Sequence, residues 1–169
     1  MNRTKLILLC IFVIGITIGI IFSSLLRPEL GNIDNSNEQS MNVTISVVCD
    51  ALLGNMDLLE RDLHELVPED GIVFPETIVT AQEGDSVFDV LQREMREAGI
   101  HMSSQTITGT NMVFVDSINN LPSGSAGPMS GWLFSVNGES AMVGPSDFIL
   151  SDGDVVEWEF TLDVSEGWE

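Results

Sequence analysis

Basic residues are scarce: 6 Lys and Arg stand against 26 Asp and Glu, which leaves 169 residues with a formal net charge of −20. Such a chain repels nucleic acid and anionic lipid headgroups, so both are set aside as partners of the folded part. Histidine and cysteine number two each. Zinc needs three or four Cys or His ligands at close spacing, and His64 and His101 stand far apart with no such neighbours. The same shortage leaves no nucleophile, base and orienting group for covalent catalysis. The glycines of residues 122–131 follow no strand-to-helix pattern, which excludes a phosphate loop or dinucleotide fingerprint. Acids are so abundant that no pair is singled out for glycoside hydrolysis. No enzyme is expected.

The apolar content is concentrated at the start. Leu6 through Phe22 carries no charge, and with Ser23 to Leu26 it is long enough to cross about 30 Å of hydrocarbon as a helix. Arg3 and Lys5 precede it and Arg27 follows, so the positive-inside bias puts the N-terminus in the cytoplasm and the rest outside the cell membrane. A cleaved signal peptide is the rival reading, although Phe22 stands where a small residue would precede a cut at Ser24. Both readings export the remainder. Cys10 and Cys49 would lie on different sides of that boundary, so no disulfide between them is expected. Residues 1–27 are therefore read as stub and signal-anchor helix, 28–42 as a polar tether rich in Asn and Ser, and 43–169 as one extracytoplasmic domain.

Within that domain, Val43, Ile45 and Val47 alternate with Thr44 and Ser46 as a half-buried strand does. Leu52, Met56, Leu59, Leu63 and Leu66 share one helical face, which predicts an amphipathic helix ending before Pro68. Ile72 to Thr80 reads as extended, interrupted by Pro75. A second helix opens at Ser86 with Asp89 three residues later, buries Val87, Leu91, Met95 and Ala98 beside Phe88 and Val90, and stops at Gly99. Met112 to Val115 forms a short strand, and residues 122–128 form a loop. Trp132, Phe134 and Val136 alternate into Asn137-Gly138, whose turn needs positive φ at both residues. Asp152-Gly153-Asp154 is a turn before Val156, Trp158, Phe160 and Leu162. Asp152, Asp154 and Glu157 lack the ligand series of a calcium loop. The element order implies an α+β domain, a curved sheet packed on one main helix.

Three segments carry a resemblance: Gly84-Asp85-Ser86-Val87-Phe88-Asp89-Val90-Leu91, Ser130-Gly131-Trp132-Leu133-Phe134-Ser135-Val136-Asn137-Gly138, and Leu150-Ser151-Asp152-Gly153-Asp154-Val155-Val156-Glu157-Trp158. In order and spacing they resemble the DUF4430 domains of bacterial surface proteins, over roughly residues 43–163. Those domains are in turn similar to the C-terminal β domain of transcobalamin and intrinsic factor. The resemblance implies a β-grasp-like, ubiquitin-like fold. In the vitamin carriers this domain closes over a corrinoid held mainly by a separate α-barrel, which this chain does not include. Leu133 and Phe134 stand where the bacterial pattern usually has Met and Tyr, which removes a phenolic hydrogen bond.

The expected function is a membrane-anchored, extracytoplasmic ligand-binding domain, with a corrinoid such as cobalamin or another flat molecule as ligand and no required cofactor. Gly131 and Gly138 would let backbone approach it, Ser130 and Asn137 would supply hydrogen bonds, and Met129, Trp132 and Met142 apolar contact. Alternation with Phe134 and Val136 equally places Trp132 in the core. By analogy such a domain would serve an energy-coupling-factor type uptake system. The alternative is a cell-surface interaction or adhesion module with no small-molecule ligand, using a sheet edge or the acidic face.

Overall fold

The computed structural model describes residues 40–109 and 112–165; the expected anchor and most of the expected tether lie outside them. Among the described residues no helix is long and apolar enough to cross a membrane. The elements are β1 (Ser40–Val48), β2 (Ile72–Gln82), α1 (Val87–Ala98), β3 (Met102–Thr106), β4 (Val113–Ile118), β5 (Leu121–Pro122), β6 (Gly131–Val136), β7 (Glu139–Ser140) and β8 (Val155–Thr161). The first strand thus starts at Ser40, inside the segment expected as tether.

A mixed five-stranded sheet and a smaller second sheet dominate the domain, with one α-helix among the described residues. Five strands run in the order β2-β1-β8-β6-β7, with β8 parallel to β1 and antiparallel to β6. Antiparallel β3-β4-β5 form a second sheet. Alternation explains β8: Val156, Trp158 and Phe160 are buried while Val155, Glu157 and Glu159 face outward. Pro75 falls in β2 where the register slips between the pairs Ile45↔Thr77 and Val47↔Phe74. A proline has no N–H for the ladder, and an edge strand with a bulge is where the chain can hold one.

Helix α1 is set by local chemistry at both ends. Ser86 Oγ accepts from the Asp89 N–H at 3.2 Å, and Asp89 Oδ2 accepts from the Ser86 N–H at 2.9 Å, closing a capping box. Gly99 takes φ of 71°, the left-handed cap that favours glycine. Val87, Val90, Leu91 and Met95 are fully buried in one cluster with Val43, Ile45 and Val47 of β1. Each such side chain contributes roughly 1.5–3 kcal/mol relative to exposure. Ala98, expected in the stripe, is exposed on the last turn.

The other expected helix is corrected. Residues 50–66 form three short 3₁₀ turns, Asp50–Leu52, Met56–Leu58 and Arg61–Leu66. The apolar residues still reach the core, with Leu52 and Leu59 buried and Met56 and Leu63 packed against it. Gly54 and Asn55 interrupt the series, and no turn has a side-chain cap, so nothing locks one continuous ladder. β3 was not expected: Met-Ser-Ser-Gln-Thr has no apolar alternation, and its pairing to β4 includes a Ser103–Ser117 hydroxyl contact at 2.8 Å.

Candidate ligand-binding cavity

An open cavity of about 500 Å³ lies where β4 and β6 face one another without pairing. Its walls are Val113 to Val115 of β4, the loop after β5, Trp132 to Phe134 of β6, residues 141–145, Trp158 of β8 and Val164. None of the wall residues is ionisable, in a chain of net charge −20. That contrast sets the chemistry: the cavity admits neutral apolar surface and offers an anion nothing.

Aromatic packing fixes the floor. Phe134 and Trp158 are cross-strand partners with ring centroids 5.1 Å apart, and Trp132 meets Phe160 edge to face at 5.3 Å. Trp132 Nε1 donates to the Leu121 carbonyl at 3.0 Å, which pins β6 to the end of β5. Trp158 Nε1 is buried without a hydrogen-bond partner among the described residues. The rim is apolar and uncovered: Phe114 is 46% exposed, Met142 64% and Val143 48%.

The residues expected from sequence separate in space. Ser130, Trp132 and Met142 reach the cavity walls, and Met129, Gly131, Asn137 and Gly138 do not. Trp132 as a whole residue is 4% exposed, so core packing is its main employment. Ser130 Oγ accepts from the Ala126 N–H at 3.1 Å and donates to the Gly127 carbonyl at 2.8 Å, holding the loop. At Gly131 a Cβ would stand 3.2 Å from Ser123 Oγ and from Val164, so the missing side chain makes room for the protein's own chain. Asn137 and Gly138 turn the hairpin with φ of 56° and 81°. The Asn137 side chain donates to Asp154 Oδ1 at 2.9 Å and accepts from the Val155 N–H at 3.0 Å. It also borders a second depression beside Met142. Met129 is half-exposed outside both.

Sequence reasoning missed Met112, Phe114, Phe134, Trp158, Val143 and Val164 as wall residues. The one available signal was apolar residues without periodicity at 142–143. Elsewhere the chemistry is quiet. Asp152 accepts from the Asn42 N–H and Asp154 from the Ser151 N–H, both at 2.8 Å, so these carboxylates hold turns. Among the described residues no cluster of three or more His, Cys, Asp or Glu could hold a metal ion. Burial, helped by Asp50 and Asp70, pushes the Cys49 thiol up to about 11, which keeps it protonated and unreactive.

This small sheet-rich domain with an apolar cavity at its open flank has known counterparts. Residues 84–161 match the family model described as "Domain of unknown function (DUF4430)", so that part of the chain is similar to the family. No curated protein matches it. Among solved structures, haptocorrin in complex with Cbi superposes with a TM-score of 0.55 at 13% identity, over 75% of this chain and 26% of haptocorrin. The chain therefore spans about a quarter of that protein's length, and the likeness is one of fold. A putative metal-binding protein from Ruminococcus gnavus ATCC 29149 matches with a TM-score of 0.42 at 15% identity, over 72% of this chain and 96% of its own.

Proposed function

We propose that this chain is a membrane-anchored, extracytoplasmic ligand-binding domain that holds an apolar, planar molecule in the cavity beside β6, with a corrinoid as the candidate ligand. The observation that carries the reading is a half-open, uncharged, aromatic-floored cavity in an otherwise strongly acidic chain. Its volume of about 500 Å³ lies inside the range of small-molecule sites. The order β2-β1-β8-β6, with β8 parallel to β1 and α1 packed on the sheet, supports a β-grasp arrangement. Haptocorrin, which shares this fold over 75% of the chain, was solved with Cbi, and that likeness supports a corrinoid as the candidate ligand. The uncharged run Leu6–Leu26 supports the anchor, and an energy-coupling-factor type importer or another surface protein would receive the ligand. The reading involves no catalysis.

Two tryptophans line the cavity, so fluorescence reports on it directly. A full-length Trp168→Phe chain in detergent, titrated with cobinamide and cobalamin and corrected for inner-filter absorption, shows saturable quenching on this reading. A flat response up to millimolar ligand discards it.

A further inference from the structure

β2 stands at one end of the five-stranded sheet, with β1 on one side and, among the described residues, no strand on the other. Strand alternation tells which of its groups face the open side. The Thr44 N–H bonds the Asp154 carbonyl at 2.8 Å, toward β8, so the odd positions of β1 face β2 and bond Thr77, Val79 and Ala81. Even positions of β2 therefore point outward. Two side-chain bonds agree: Arg93 donates to the Thr80 carbonyl at 2.9 Å, and Asp85 accepts from the Gln82 N–H at 3.0 Å.

Those two contacts occupy the edge from the Thr80 carbonyl onward, and Pro75, with no N–H and a slipped register beside it, ends the regular edge on the other side. Between them, the N–H and C=O of Ile78 and the N–H of Thr80 have no hydrogen-bond partner among the described residues. The Ile78 residue is 74% exposed, more than any other large apolar residue described. The open stretch is thus short and apolar at its centre. Charge is less adverse here than elsewhere, because of the 6 basic residues in the chain two, Arg93 and Arg96, belong to α1, and Arg93 reaches this edge.

We propose that two copies of this chain pair through β2, antiparallel about a twofold axis at Ile78, so that their five-stranded sheets join. Ile78 of each copy exchanges both main-chain hydrogen bonds with Ile78 of the other, and the two exposed side chains cover one another across the axis. The Thr80 N–H of each copy meets the Glu76 carbonyl of the other. Glu76 then stands opposite Thr80, at the position that Arg93 holds, and not opposite its own counterpart, so the register keeps like charges apart in a chain of −20. Pro75 at one end and the Arg93 and Asp85 contacts at the other keep the pairing from slipping. β6 lies toward the far end of each sheet, so the cavity stays open in both copies and the pairing does not depend on what it holds.

The test is cysteine cross-linking of the full-length chain in detergent, in a Cys10→Ser background with copper-phenanthroline as oxidant; Cys49 is buried and takes no part. Hydrogen-bonded partners lie about 5.5 Å apart at Cα, inside disulfide reach, so Ile78→Cys forms a covalent dimer at least about tenfold faster than Val155→Cys on the outer face of β8. Register is read by mixing: Glu76→Cys with Thr80→Cys gives the cross-link, and either alone does not. Ile78→Pro removes an outward N–H and leaves the ladder to β1 intact, so adding it to both chains abolishes that mixed cross-link with the thermal midpoint retained. Should the proline lower the midpoint, Ile78→Lys, which sets like charges across the axis, gives the same loss. Equal cross-linking at positions 78 and 155, or a mixed cross-link that survives Ile78→Lys, overturns the proposal. So does no cross-link at any concentration, which leaves this edge to a strand of another protein.

Discussion

The core has two flanks built from the same kinds of residue, and only one is closed. Against α1, Leu91 and Met95 are completely buried, whereas beside β4 and β6 the apolar residues Phe114, Met142 and Val143 stand open to solvent. A capping box and a glycine stop fix the helix over the first flank. On the second flank β7 ends after two residues, and the apolar rim beside it stays exposed. Burial on the helix side stabilises the fold, and the open side keeps apolar surface available for something else.

Substitutions separate the two flanks. The largest stability effect is expected from Leu91→Ala, about 3 kcal/mol lost in urea denaturation, because a fully buried side chain leaves a cavity that the packed helix cannot collapse around. A loss below about 1 kcal/mol would show the helix flank to be loosely packed. Ser86→Ala removes the N-cap and costs about 1 kcal/mol by the same assay, with ligand affinity unchanged.

A smaller effect belongs to the outer face of β8. Partial burial, then the neighbouring Glu157 and Asp50, raise the Glu159 carboxyl above its ordinary range. The folded state thus holds this proton more tightly than the unfolded one, so the ionised group opposes folding at neutral pH. That opposition disappears as pH falls through the raised value and below the ordinary carboxylate range. Glu159→Gln accordingly raises the thermal midpoint slightly at pH 7 and leaves it unchanged in acid, as differential scanning fluorimetry across pH would show; a gain independent of pH would refute the assignment. The smallest stability change is Met142→Gln, within about 0.5 kcal/mol of the parent, because its side chain is mostly in water already.

What the sequence made legible follows the same division. Ser86, Asp89 and Gly99 announce α1 because capping is a contact over three or four residues. Asn137-Gly138 announces its hairpin for a similar reason, since positive φ is a property of those two residues. Residues 50–66 misled because apolar spacing near 3.6 says which side chains share a face and leaves the backbone unspecified, and three 3₁₀ turns satisfy it as well. β3 escaped because Met102 is its one apolar residue and no alternation follows it. The cavity was only partly visible: Ser130, Trp132 and Met142 belong to it, but Phe114, Val143 and Trp158 join through pairings of distant strands that no local pattern encodes. Glycine at 131 reads in sequence as letting backbone approach a ligand, and the atoms that stand against it are those of Ser123 and Val164.

The most direct test of the open flank as a binding site is the shift in thermal midpoint when cobinamide is added in large excess to the parent chain and to Met142→Glu. A ligand that binds only the folded state raises the midpoint, by an amount that grows with its concentration over Kd. The account predicts a concentration-dependent rise for the parent and a much reduced rise for Met142→Glu at equal intrinsic stability. Equal shifts in both chains, or no shift in either, would contradict it.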